Sequence, residues 1–288
     1  MKSLIFENAL GLQIKFSNES TYRWLNVDDL GGNSATFQTT SSPYQDGITS
    51  VDDGYFESKL MTIDFVILST DNPDIYMREL NFITNPKHGN GKLIWNDGIQ
   101  EKVFEHVKTK ILPTYARKKG SNYMYSSITF EVFDPLLSDK EYASFDVYSS
   151  IDNFTFDLSI TDEFVFDQVG PTIPITNVGD VSAPIIIEFT GVQNAPLKVM
   201  NLTTGENIEV DISLTADQKL TINTNLDELD VKLTTISTGV STSAFQYIDI
   251  PNTSFFHLAL GLNVLKFMNG AELSQSVTVK YKNRYVGV

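Results

Sequence analysis

Cysteine is missing from the chain altogether. Its absence excludes disulfides, thiolate metal sites and cysteine nucleophiles together, and it fits synthesis in a reducing compartment. Positive charge is scarce: 21 Lys and Arg stand against 36 Asp and Glu in 288 residues, a formal net charge of −15. Such a field repels nucleic acid and anionic membranes at long range, so neither is expected as a general partner. No apolar run approaches the ~18 residues that a transmembrane helix needs. The opening MKSLIFENALGLQIKF has an early lysine, but Glu7 and Asn8 interrupt its apolar stretch, so it reads as mature structure and not as a secretory signal. Neither a repeat of fixed period nor a low-complexity tract is present.

What the chain has is 41% hydrophobic residues and enough length for two domains, each with its own core. The dominant pattern is short β-branched and aromatic runs between turn dipeptides, which predicts a mainly β protein. Leu197–Asn201 and Asn207–Ile212 flank Thr204-Gly205 as a hairpin would. Asn263–Met268 and Leu273–Lys282 flank Asn269-Gly270, and Asn-Gly is a strong hairpin signal because both residues tolerate φ > 0. In the last strand Val277, Val279 and Tyr281 alternate with polar partners, and in Lys59–Leu68 so do Met61, Ile63, Phe65 and Ile67. Asn90-Gly91 and Asp97-Gly98 bracket a short strand, Lys92–Trp95. Phe154, Phe156, Leu158 and Ile160 alternate in the same way.

One helix is predicted, over residues 73–84. Asp71-Asn72 can cap it, Pro73 suits its first position and Asp74 complements its positive end. Tyr76, Leu80 and Ile83 recur at helical spacing, and Asn85-Pro86 stops the run. A domain break is expected just after Phe133-Asp134-Pro135, giving residues 1–138 and 139–288. The charge balance changes there: 13 basic and 17 acidic residues precede the break, and 8 and 19 follow it.

Motifs for chemistry are missing. Around Gly89-Asn90-Gly91-Lys92, Pro86 replaces the first glycine of a phosphate loop and Leu93 its magnesium-holding hydroxyl, so a hairpin turn explains the glycines better. There is no Gly-x-Ser-x-Gly and no His-Glu-x-x-His. His88, His106 and His257 lie far apart, without ligand-spaced partners. The acidic pairs Asp28-Asp29, Asp52-Asp53 and Asp227-Glu228 lack the alternating ligands of an EF-hand and serve turns equally well. No cofactor or metal is expected. A glycosidase needs two placed carboxylates, and spacing nominates no pair. Lys108, Lys110, Arg117, Lys118 and Lys119 form the one basic concentration. It can be a nucleic-acid contact beside Tyr115 and Tyr123, a solvated loop, or a loop that meets an acidic patch on a neighbouring subunit. Trp24, Trp95 and the many Tyr and Phe can build a sugar-stacking platform or simply fill cores.

Several segments, in order, carry a family resemblance. They are Leu10-Gly11-Leu12, similar to an opening strand; Asp46-Gly47 to Asp53-Gly54 with the long strand Tyr55–Leu68; and Phe130 to Pro135, similar to a domain-closing strand. Asn177-Val178-Gly179-Asp180 through Ile187, Asn201 to Gly205, Leu258 to Gly261 with Asn263, and the closing Asn283 to Val288 follow. Together they resemble the distal tail protein family of long-tailed, non-contractile bacteriophages across nearly the whole chain. Lys59 and Met61 depart from an arginine common in relatives, and the stretch before Gly261 lacks a common proline.

The resemblance implies a structural hub of the tail tip or baseplate. A tail-tube-like N-terminal split barrel or sandwich with one helix would form a six-membered ring, and a galectin-like C-terminal sandwich would project from it. The implied partners are further copies of the chain, the major tail (tube) protein, a tail-associated fibre or lysin protein and receptor-binding proteins, with DNA as passing cargo and no membrane. Within a ring, Asp28, Asp29, Asp52, Asp53 and Glu57 are the candidate channel-facing acids. The alternative function is a carbohydrate-binding module for host cell-wall glycan, built on aromatic faces of the sandwich.

Overall fold

The structure is a computed structural model and describes residues 2–28, 30–44, 46–51, 54–68, 72–117, 123–148, 172–269 and 276–287. The alternating strand at 154–160 expected above lies outside them. The chain divides into two units, residues 1–140 with 284–288, and residues 141–283. The first unit runs to Lys140, and the last five residues return to it instead of staying with the second.

In the first unit, period-two patterning builds β1 (Ser3–Glu7), β2 (Gln13–Ser17) and β3 (Tyr22–Val27). Four two-residue strands follow, β4 (Ala35–Thr36), β5 (Thr39–Thr40), β6 (Thr49–Ser50) and β7 (Tyr55–Phe56). Then come β8 (Lys59–Ile67), α1 (Pro73–Ile83), β9 (Gly91–Asn96), β10 (Glu101–Arg117), β11 (Met124–Val132) and β12 (Leu137–Asp139). Seven of them close a barrel in the order β10-β11-β8-β3-β2-β1-β9 and back to β10. The expected long strand Tyr55–Leu68 is broken at Glu57-Ser58, because Glu57 N–H turns aside to the carbonyl of Ser34, 3.0 Å away.

The barrel interior is apolar. Leu4, Phe16, Met61, Ile63, Phe65, Phe104 and Phe130 are fully buried, and the Phe6 and Phe130 rings meet at a tilt with their centres 4.7 Å apart. Gly91 is needed for closure, since a Cβ there would lie 2.4 Å from the Glu7 carbonyl oxygen and against the Phe6 ring. Leu10-Gly11-Leu12 is the β1–β2 turn and not an opening strand. The Asn8 carboxamide oxygen accepts from the N–H groups of Leu10 and Leu12, both at 3.0 Å, and Gly11 supplies φ +77°.

The β2–β3 contact is the weak seam, a single parallel pair, Phe16 opposite Tyr22. Helix α1 packs at that end, burying Leu80 and Ile83 in the barrel core, capped by Asn72 as its sequence predicts. Tyr22 and Tyr115 hydroxyls donate to the helix carbonyls of Tyr76 and Met77, at 3.0 and 3.1 Å. Burial, foremost, pushes the Tyr22 phenol far up, with the Glu79 carboxylate adding to it; burial pushes the Tyr115 phenol up to about 12. Both therefore stay protonated donors. The terminal strand Arg284–Tyr285 pairs with β12, Lys102 sits 3.7 Å over the Tyr285 ring, and Arg284 pairs with Asp134.

The second unit holds β13 (Ala143–Tyr148), β14 (Thr172–Asn177), β15 (Ile185–Thr190), β16 (Leu197–Asn201), β17 (Asn207–Val210), β18 (Gln218–Asn223), β19 (Asp230–Thr235), β20 (Ser241–Ser243), β21 (Gly261–Asn269) and β22 (Ser276–Tyr281). They form a six-stranded sheet, β13-β22-β15-β18-β19-β20, and a four-stranded sheet, β14-β21-β16-β17. Ile187, Phe189, Ile222 and Val279 from one sheet meet Val199, Ile208, Leu265 and Phe267 from the other in one core, which makes a sandwich. The β16–β17 hairpin forms as its Thr204-Gly205 turn predicts. The Asn269-Gly270 hairpin does not. β21 belongs to the four-stranded sheet and β22 to the six-stranded one, so the strands on either side of that dipeptide are in different sheets. Each buries its own apolar row against the opposite sheet, and that decides pairing over local turn propensity.

Candidate assembly surfaces

Between β3 and β8 the chain makes an arm. Among the described residues β4 pairs only with β7 and β5 only with β6, and Val51 N–H bonds the Gln38 carbonyl at 2.8 Å, so residues 35–40 and 49–51 with 55–56 form one narrow ribbon. Among the described residues its strand pairings are all within the ribbon. Gly54, at φ +77°, lets the Phe37 ring pack on the backbone, because a Cβ there would lie 2.6 Å from the ring. Phe37, Tyr44, Ile48, Val51 and Tyr55 are exposed, Ile48 at 71%. Sequence reasoning missed this arm. The signal was available: from Trp24 to Ser58 there are six acids and no Lys or Arg.

The acids nominated for a channel fall on and beside this segment. Asp28 is exposed at the end of β3, its N–H on the Thr62 carbonyl at 2.9 Å and its carboxylate taking the Asn26 amide at 2.6 Å. Glu57 is exposed at the root of the arm and accepts from the Thr36 hydroxyl. Asp29, Asp52 and Asp53 lie outside the described residues.

Three of the five residues of the basic cluster are on a strand and not a loop. Lys108, Lys110 and Arg117 lie on β10, one strand of 17 residues, while Lys118 and Lys119 lie outside the described residues. Local composition there is β-branched, and pairing with β11 over Val107–Arg117 keeps it extended through two register shifts around Ile111. Pairing with β9 stops at Val107 opposite Gly91, so beyond that point β10 is laddered on one side only among the described residues. Lys110 reaches Glu131 at 3.1 Å, an exposed pair that contributes little. Ile111 and Leu112 beside it are exposed.

The remaining candidates are structural. Trp95 is buried in the barrel core and half-buried Trp24 stacks on it at 5.8 Å, with the Trp24 indole N–H on Asn18, so the pair serves packing. His106 occupies the β10 bulge at φ +54°, and His257 bonds the Thr224 carbonyl at 3.0 Å. Asp227 and Glu228 sit in a single 3-10 turn capped by Asn225. Among the described residues no three His, Asp or Glu side chains group as metal ligands do, and no helix is long and apolar enough to cross a membrane.

Buried asparagines explain most of the segments that carried the family resemblance. Asn201 and Asn263 are fully buried and bond each other at 3.1 Å. Asn263 also takes the Ala259 N–H and donates to the carbonyls of Ala259 and Gly261. Asn177 donates to Val181 and Leu258 carbonyls, and Asn283 accepts from Val178 N–H at 3.0 Å. Each replaces a ladder bond where the backbone turns.

The family model described as siphovirus-type tail component, C-terminal domain, matches residues 178–285. A search of curated proteins returns no match. Among solved structures, the chain superposes on SPP1 Dit (gp 19.1), described as a paradigm of hub adsorption apparatus in phages infecting Gram-positive hosts. The TM-score is 0.68 at 10% identity, covering 99% of each chain. It also superposes on a chain of the phage P2 baseplate in its calcium-activated conformation, with a TM-score of 0.58 at 11% identity over 100% of both chains, and on one of the strontium-activated baseplate at 0.57. The resemblance to the distal tail proteins is thus shown in sequence over the sandwich and in fold over the whole chain.

Proposed function

We propose that this chain, whose sandwich matches the siphovirus tail component and whose full length has the fold of tail hub and baseplate proteins, is a structural hub of a phage tail tip. It forms a ring, six-membered by analogy with the family, that joins the major tail (tube) protein to a tail-associated fibre or lysin protein. Receptor-binding proteins attach at its side, and the galectin-like sandwich projects outward. The protein works in the virion tail and is made in the host cytoplasm. It has no catalytic role and needs no cofactor.

The observation that carries this reading is the fold match over 99% of both chains to a hub protein. A closed barrel with an unsupported arm suits a subunit that finishes its surface against neighbours. For the channel, Asp28 adjoins the outward residues Thr62 and Asp64 of β8, whose inward neighbours Met61, Ile63 and Phe65 are fully buried. An acidic and hydroxyl-bearing wall repels DNA and lets it pass.

The test is the molar mass of the purified protein across concentrations, with negative-stain images of the largest species. A mass six times the 32.2 kDa chain, with ring-shaped particles, is expected. A stable dimer of other geometry that ignores tail-tube and tail-tip partners would count against the hub.

A further inference from the structure

The two patches described above are opposite in charge and lie on one unit. From Trp24 to Ser58 the chain carries six acids and no base; from His106 to Phe130 it carries five bases and no acid. In a chain of net charge −15, a stretch of 25 residues without one carboxylate is a marked segregation. The arm presents Asp46 and Glu57 with Ile48 and Val51, all exposed. The stretch of β10 beyond Val107 carries Arg117, Ile111 and Leu112, all exposed, and Lys110, also exposed, whose ammonium lies 3.1 Å from the Glu131 carboxylate of β11. Cation faces acid and apolar faces apolar, in the same mixture.

A two-stranded ribbon is marginal in water, and this one buries none of its large apolar side chains. It needs a surface. We propose that the arm of one copy lies along the side of β10 that has no ladder partner among the described residues, Lys110 to Arg117, of the next copy. The contact rests on the ring reading given above and deepens it by naming the interface. The occupant is a second copy because the complementary patch is on this same chain. Two different patches on one molecule make a heterologous contact, and heterologous contacts build rings when the rotation closes. Pro113 and the register shifts around Ile111 leave that side of β10 a poor template for indiscriminate strand addition. Recognition is therefore by side chains, with charge choosing the partner and steering approach.

The absence of cysteine makes the test clean. A chain carrying Ile48→Cys and Leu112→Cys, mildly oxidised, should give a ladder of covalent multimers on a non-reducing gel, while each single variant stops at dimer. Independently, Lys110→Glu with Arg117→Glu should weaken assembly roughly tenfold at low salt, and adding Asp46→Lys with Glu57→Lys should restore it. Circular dichroism melts show that each variant is folded. Rings that assemble normally with either side reversed, and show no multimer ladder, would overturn the arm contact and leave the hub standing. An unaltered chain that stays monomeric at every concentration would overturn ring and contact together.

Discussion

At the scale of single residues, the fold is held where polar side chains stand in for backbone partners. Asn263 makes bonds in four directions from a fully buried position, which only a carboxamide can do there, since it both donates and accepts. Replacing it by Asp keeps the shape and removes both donors, leaving the Ala259 and Gly261 carbonyls to face an acceptor. The expected cost is about 1–3 kcal/mol for each group left unsatisfied, so calorimetry should show a melting temperature lower by several degrees. An unchanged melting temperature would remove Asn263 from this role. Lys59 works similarly in the barrel. It is 8% exposed, bonds Asn33 at 3.0 Å and lies 4.6 Å over the Phe104 ring, while Asn33 donates to Val286. The root of the arm and the returning terminus are thus tied to one buried cation. The sequence marked Asn263 as part of the resemblance and Lys59 as a departure from it, yet the burial of both was invisible in it, because asparagine and lysine are ordinarily surface residues.

At the scale of elements, the six-stranded sheet is laced by Glu188. Placed mid-strand on β15, it pairs with Lys219 on β18 at 3.1 Å and Lys280 on β22 at 2.8 Å. Burial alone would raise its carboxyl, but the hydrogen bonds from Lys280 and Lys219 outweigh that and hold it below the ordinary 4.5. A folded pKa below the unfolded one means the contribution is present above 4.5 and fades as pH falls through the folded value. Glu188→Gln should therefore destabilise the protein at pH 7, with the difference shrinking as pH drops below about 4. Urea titrations at pH 7, 5 and 3.5 measure this, and a gap that widens toward acid would refute it. Helix α1 shows the opposite case of legibility. Its cap, its proline and its apolar spacing were all local, and the sequence-predicted span differs from the observed Pro73–Ile83 by one residue.

At the scale of the whole molecule, charge is the informative property. The long-range field belongs to the net −15, whereas the basic stretch on β10 acts over about a Debye length, ~8 Å at physiological salt. The chain should accordingly leave duplex DNA unshifted in an electrophoretic mobility assay at 0.15 M salt. Retention that falls steeply with added salt would instead favour a nucleic-acid contact on β10. The chain also closes on itself in sequence order: it starts in the barrel unit, passes through the sandwich and returns by Arg284–Tyr285 to β12. A composition shift at Pro135 marks one crossing between the units. Nothing local marks the second, since two residues of edge pairing leave no periodic trace.

The amino-acid sequence by itself determined the class of structure, the alternation of individual strands, the helix and its ends, and the lack of any thiol or motif chemistry. Period, cap and turn are properties of neighbours along the chain, so they are readable one window at a time. Only the tertiary structure decided which strands meet. It placed the strands around Asn269-Gly270 in different sheets, put Lys108, Lys110 and Arg117 on one strand that beyond Val107 is laddered on one side among the described residues, and closed seven strands into a barrel in which a side chain at Gly91 would meet the Glu7 carbonyl. Pairing partners are chosen by which apolar rows fit against each other across long separations, and that choice is made by packing in three dimensions, not by any residue's neighbours.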